Sequence, residues 1–181
     1  MSAPYWVDVF KDIVTDVRTD TDKPATLASD EPYFMHGHPL EILNTLSEKD
    51  RHSTYKFKKY PLIALFQDFT ESIGENMNSQ GETSLNIVIC TQTSPDYTSE
   101  QRYDNVFRTV LYPLYDLLIK HIEASKWFVN VGPGLVPHDK TDRLFWGKSG
   151  LYGNEGNIFN DNIDAIEIEN LSLSMRLIKN C

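Results

Sequence analysis

The sequence predicts a single α+β domain, a mainly antiparallel sheet packed against a long kinked helix, with another helix at the N-terminus. Three observations predict it. Residues 163–177 alternate apolar and polar side chains and slip phase once, at Asn170, the mark of a long strand with a β-bulge. Residues 99–124 carry one broad apolar face behind Thr98 and Gln101, which have capping-box spacing. Two apolar runs, residues 61–66 and 85–91, have strand length and β-branched content.

The elements follow in order. Residues 4–18 read as an amphipathic helix, because Trp6, Phe10, Ile13 and Val17 recur at helical spacing and the aspartates turn away. Residues 19–31 hold Thr, Asp, Pro and Ser and read as a loop. Residues 33–36 read as a short strand. Residues 39–49 read as a short helix with Pro39 at its start and Leu40, Leu43 and Leu46 inward. Residues 55–69 read as the first core strand, with Pro61 near its beginning, where a missing N–H is tolerated. Its run Leu62-Ile63-Ala64-Leu65-Phe66 is continuous, as in a strand covered on both faces. Residues 71–82 read as a loop or hairpin connection, and residues 85–91 as a strand antiparallel to the first. In the long helix, Pro113 removes a hydrogen bond and crowds the Thr109 carbonyl, so a kink is expected. Residues 131–162 read as a long loop, a form often given over to binding. Residues 24–58 read as an extended arm. The terminal strand is expected to show a polar outer face carrying Glu167 and Glu169.

The chain of 181 residues has 17 Lys and Arg against 26 Asp and Glu, a formal net charge of -9. That balance disfavours wrapping nucleic acid. The one local basic cluster, Arg51, Lys56, Lys58 and Lys59, reads as a solvated edge. Two cysteines, Cys90 and Cys181, make no disulfide framework, and a reducing compartment is the default. The aspartates of the first twenty residues argue against a secretory leader, and no apolar run reaches membrane-spanning length.

No catalytic constellation stands out. His36 and His38 flank a glycine near Glu41 and share a side of an extended segment, but no third ligand has a predictable position. A turn before a helix explains them. Gly147-Lys148-Ser149 fails as a phosphate loop, since Asp142 stands where that motif needs glycine. Asn154, Glu155, Asn157, Asn160, Asp161 and Asp164 are rich in oxygen but lack calcium-loop spacing. No metal, nucleotide or covalent cofactor is therefore expected. Phe145, Trp146, Tyr152 and Phe159, in the long loop, are the candidate interface residues, because aromatics dominate interface cores. Deleting residues 146–157 is expected to leave a folded monomer unable to assemble.

Several local words occur in a telling order. They are Lys59-Tyr60-Pro61-Leu62-Ile63-Ala64-Leu65, Glu100-Gln101-Arg102-Tyr103, Leu111-Tyr112-Pro113-Leu114-Tyr115 and Asp164-Ala165-Ile166-Glu167-Ile168. Across roughly residues 33 to 177 the series resembles the tail-terminator and head-closure (neck) proteins of tailed bacteriophages, those of Bacteroidetes-type hosts in particular. The resemblance implies a virion structural protein and not an enzyme. It implies a ring of copies at the neck, made in the host cytoplasm, touching portal, neighbouring neck and tail proteins but no membrane. DNA would pass through without specific binding. Two competing classes are a small cytosolic α/β enzyme using Asp68, His121 or His138, and a monomeric module whose loop around Trp146 binds peptide or glycan.

Overall fold

The computed structural model describes residues 5–29, 31–50, 59–73, 80–129, 131–146 and 161–176. Its elements run α1 (Trp6–Thr19), α2 (Ala25–Ser29), β1 (Tyr33–Gly37), α3 (Pro39–Asp50), β2 (Leu62–Phe66), β3 (Glu71–Ile73) and β4 (Gln80–Gln92). Then come α4 (Ser99–Arg102), a wide π-type stretch (Tyr103–Leu111) and α5 (Tyr112–Glu123), which together form one long helix. Strands β5 (Phe128–Val129), β6 (Asp139–Arg143) and β7 (Ile163–Arg176) complete the chain.

Strands β4 and β7 are the antiparallel spine, and the phase slip lies where the sequence puts it. Leu85 faces Leu171 and Ile87 faces Ile168, so Glu169 and Asn170 together oppose Asn86. Asn170 has φ 54°, and its N–H donates to the Asn86 Oδ1 at 3.3 Å. The extra residue keeps Ile166, Ile168, Leu171, Leu173 and Met175 on one buried face across the bulge. Asn tolerates this left-handed conformation and β-branched residues do not. Asn170→Gly should therefore leave the denaturation midpoint nearly unchanged, whereas Asn170→Val should cost about 1–3 kcal/mol. Leu177 lies outside the described residues.

The sheet order is β1-β2-β4-β7, with β5 and β6 placed end to end along the far edge of β7, and β3 against the start of β4. All pairings are antiparallel except β1 with β2. One face packs Ile63, Leu65, Ile87, Ile89, Ile166 and Ile168 under α1 and the long helix. The other packs Leu62, Ala64, Phe66, Val88 and Cys90 under Ile42, Leu43 and Leu46 of α3. Strand β2 is buried on both sides, as its unbroken apolar run requires. Cys90 is a small buried hydrophobe, and burial pushes its thiol pKa up. Among the described residues, no helix is long and apolar enough to cross a membrane.

Five expectations need correction. Residues 24–50 are no arm: β1 lies in the sheet parallel to β2, with α3 as the crossover. Parallel strands cannot be joined by a tight turn, which explains the length of this segment. The loop expected over residues 19–31 contains α2, and the loop expected over residues 131–162 contains β6. In α3, Ile42 takes the inward place assigned to Leu40, which is 51% exposed. Lys59 is buried, donating to Asp161 Oδ2 at 2.8 Å, rather than solvated; Arg51, Lys56 and Lys58 lie outside the described residues.

The long helix starts as its sequence dictates. The Thr98 Oγ1 accepts the Gln101 N–H at 3.3 Å, and Gln101 Oε1 accepts the Thr98 N–H at 2.9 Å. The helix continues through Pro113 instead of breaking. The adjustment is the wide stretch ahead of it, where Tyr112 N–H reaches back five residues to the Phe107 carbonyl. Pro113 has no N–H to offer the Thr109 carbonyl, and that oxygen accepts the Thr26 hydroxyl of α2 at 2.8 Å.

Candidate interaction surface

Arg102 ends α4 with its side chain fully buried. Nη1 donates to Asp164 Oδ1 at 2.8 Å, to Oδ2 at 3.1 Å and to Thr93 Oγ1 at 3.2 Å. Nη2 donates to the Ser94 carbonyl at 2.9 Å and Nε to the Tyr97 carbonyl at 3.3 Å. The remaining face of the guanidinium carries the Phe145 ring, 3.7 Å from its centroid. Phe145 has φ 54°, and its N–H donates to Asp164 Oδ1 at 2.9 Å. One buried ion pair thus ties together the loop after β4, the helix N-terminus, the start of β7 and the turn after β6.

Trp146 follows and turns inward. It is 6% exposed, packs in the cluster under α3, and donates its indole N–H to Glu167 Oε1 at 2.7 Å. Arg143 Nε holds the other carboxylate oxygen, Oε2, at 2.7 Å. Glu167 is therefore buried, which corrects the polar outer face expected for this part of β7; Glu169 is exposed. Of the four candidate interface residues, Trp146 lies in the core and Phe145 is partly exposed against Arg102. Tyr152 and Phe159 lie outside the described residues, as do Gly147 to Ser149, Asn154, Glu155, Asn157 and Asn160.

The exposed apolar side chains near this junction are Tyr97, Tyr103, Leu144 and Phe145. Between the helix and the β6 edge runs a groove of about 210 Å³, lined by Ser99, Tyr103, Phe107, Tyr112, Asp142 and Leu144. Ser99, Tyr103 and Phe107 recur every four residues, so one helical stripe makes one wall. The charges beside it are matched internally. Lys140 Nζ donates to Asp142 Oδ1 at 2.6 Å and sits over the Tyr112 ring, while Arg108 pairs with Asp104 at 3.1 Å.

Tyr112 donates its hydroxyl to Asp142 Oδ2 at 2.6 Å. Burial, then this bond and the Asp142 charge, push its pKa up to about 12. The neutral phenol is the form the fold favours. Its stabilising contribution is thus complete below the ordinary tyrosine pKa near 10 and fades as pH rises towards about 12. In an absorbance titration of tyrosinate, the difference between wild type and Tyr112→Phe should have its midpoint near 12.

The other sequence candidates are used locally. His36 Nδ1 bonds Gln67 Oε1 at 2.7 Å, and His38 Nδ1 accepts the Leu40 N–H at 3.2 Å at the start of α3. His121 meets Asp20 at 2.7 Å; Lys120, the Asp22 backbone N–H and His121 hold the Asp20 pKa down to about 2. His138 bonds the Tyr115 hydroxyl at 2.7 Å. Asp68 lines a small cleft on the opposite face of the sheet, with Glu167 and Glu169. Asp68, His121 and His138 therefore do not form one site. Among the described residues, no group of three or more His, Cys, Asp or Glu is placed to hold a metal ion.

In comparisons with known proteins, no family model and no curated protein matches the chain.

Proposed function

We propose that this chain is a structural subunit of a tailed-phage neck, a tail terminator or head-to-tail connector that assembles as a ring through which DNA passes. The observation that carries the reading is how the chain uses its polar groups. Arg102, Asp164, Glu167, Lys59 and Asp161 are buried or half-buried in ion pairs that pin loops to the sheet. Beside the charged β6 edge, where Asp139, Lys140 and Asp142 are exposed, Tyr103, Leu144 and Phe145 add exposed aromatic and apolar side chains of the kind that interface cores bury. A net charge of -9 supports the same reading, because a lumen of like sign repels phosphates and does not grip passing DNA.

Negative-stain imaging and sedimentation of the purified chain over a range of concentrations test the proposal, together with cross-linking within purified particles. Closed rings, and cross-links to portal or tail-tube subunits, are the expected result. A chain that stays monomeric at every concentration and is missing from particles removes this reading and moves the monomeric binding module ahead.

A further inference from the structure

We infer that Lys59 and Asp161 condense, with loss of water, into an isopeptide bond that fastens the start of β2 to the start of β7. The bond does not depend on ring assembly.

The reacting groups are already in contact. Lys59 Nζ donates to Asp161 Oδ2 at 2.8 Å, and the Tyr60 hydroxyl donates to the same oxygen at 2.9 Å. The backbone holds both partners in place. Strands β2 and β7 each run antiparallel to β4, so both begin at its far end, where Leu62 and Ala165 face Cys90 from opposite sides. The Pro61 carbonyl accepts the Tyr33 N–H at 2.8 Å, and the Asn162 carbonyl accepts the Thr93 N–H at 2.9 Å. Well-oriented partners within one molecule reach effective molarities of about 10⁵–10⁸ M.

Burial sets this pair apart. Lys59 is 2% exposed and Asp161 15%. Lys11, Lys120 and Lys140, which also pair with carboxylates, are 30% exposed or more. Tyr60 packs against the apolar cluster that holds Leu62, Cys90, Ile163 and Ala165. Little water screens the two charges. Burial, then the Asp161 charge, pushes the Cys90 thiol pKa up, and burial, then the Lys59 charge, holds the Lys49 pKa down. A buried ion pair recovers little of its desolvation cost, whereas an amide carries no charge.

The step balances without any other reagent. A proton moves from Nζ to Oδ2 along their hydrogen bond, leaving a neutral amine and a carboxylic acid. The Nζ lone pair then forms the bond to Cγ. The Cγ–Oδ2 bond breaks as Tyr60 gives its proton to the departing hydroxyl, and the phenol regains a proton from Nζ. Of the ammonium protons, one stays on the amide nitrogen and two leave in the water. Oδ1 becomes the amide oxygen. The product closes a covalent loop between residues 102 positions apart.

Intact-mass measurement of the folded full chain tests this. The mass should fall below that of the sequence by one water. Peptide mapping should give a branched peptide joining Lys59 to Asp161, uncut by trypsin after Lys59. Lys59→Arg, which keeps a cation beside Asp161, should show the full mass of its sequence. Tyr60→Phe, followed from cell-free synthesis with thermal unfolding as the fold control, should lose water at least about tenfold more slowly. A folded wild-type chain at its full sequence mass overturns the inference. So does a water loss that persists in Lys59→Arg or maps to a succinimide at Asp161, because neither uses the Lys59 amine. Water loss at the wild-type rate in folded Tyr60→Phe overturns the step as drawn.

Discussion

Replacing Arg102 by methionine should destabilise the chain by about 3–5 kcal/mol, because it strands Asp164 as an unpaired carboxylate with no exposed surface. For a domain of this size that is a fall of about 6–20 °C in melting temperature. The direction follows from the asymmetry of buried ion pairs. The intact pair adds little net stability over apolar replacements, but a single survivor keeps its full desolvation cost. Three further acceptors lose their donor: Thr93 Oγ1 and the Ser94 and Tyr97 carbonyls. The double variant Arg102→Met with Asp164→Asn should recover part of the loss, since an amide oxygen still accepts the Phe145 N–H. Denaturant titration of the two singles and the double closes the cycle. Equal stability of wild type and Arg102→Met would show that water reaches Asp164. The same variant should also loosen Tyr97 and Phe145, whose positions depend on the guanidinium.

Much of this fold is legible in the sequence because its strongest signals are local. The bulge at Asn170 is written as a shift in alternation, and the helix start as Thr98 and Gln101. Strand β2 is legible as an unbroken apolar run. What escapes is set by tertiary context. Strand β6 reads Asp-Lys-Thr-Asp-Arg, with no apolar alternation, and is a strand because β7 offers it an edge and Tyr112 offers Lys140 and Asp142 a partner. The parallel β1–α3–β2 crossover is invisible to periodicity, since an excess of length does not say which strand the chain returns to. The Arg102–Asp164 pair joins residues 62 positions apart. Its signal is faint: Arg102 precedes the buried Val106 by one helical turn, and Asp164 interrupts the buried start of β7. Neither position by itself distinguishes a buried ion from an exposed one.

Trp146→Ala should lower stability by about 3–5 kcal/mol, as expected when a buried indole is emptied from a core. The sequence places Trp146 among residues that face a partner, and the two roles make opposite predictions. A surface hot spot loses assembly while the monomer keeps its melting point. A core tryptophan loses melting temperature first. The geometry favours the second, because the ring lies in the buried cluster that also holds Ile42, Leu43 and Leu46 of α3, and its N–H is used on Glu167. Trp146→Phe separates volume from hydrogen bond. It keeps most of the packing, leaves Glu167 held by Arg143, and should cost only about 1–2 kcal/mol. Assembly of Trp146→Phe should match wild type at temperatures where both are folded. It follows that a deletion meant to spare the fold must begin after Trp146. Removing residues 147–157 tests the contribution of that segment to assembly, whereas removing residues 146–157 also takes out the core indole and should unfold the α3 side of the sheet. Thermal unfolding of the two deletions side by side decides the matter: equal melting points would return Trp146 to the surface.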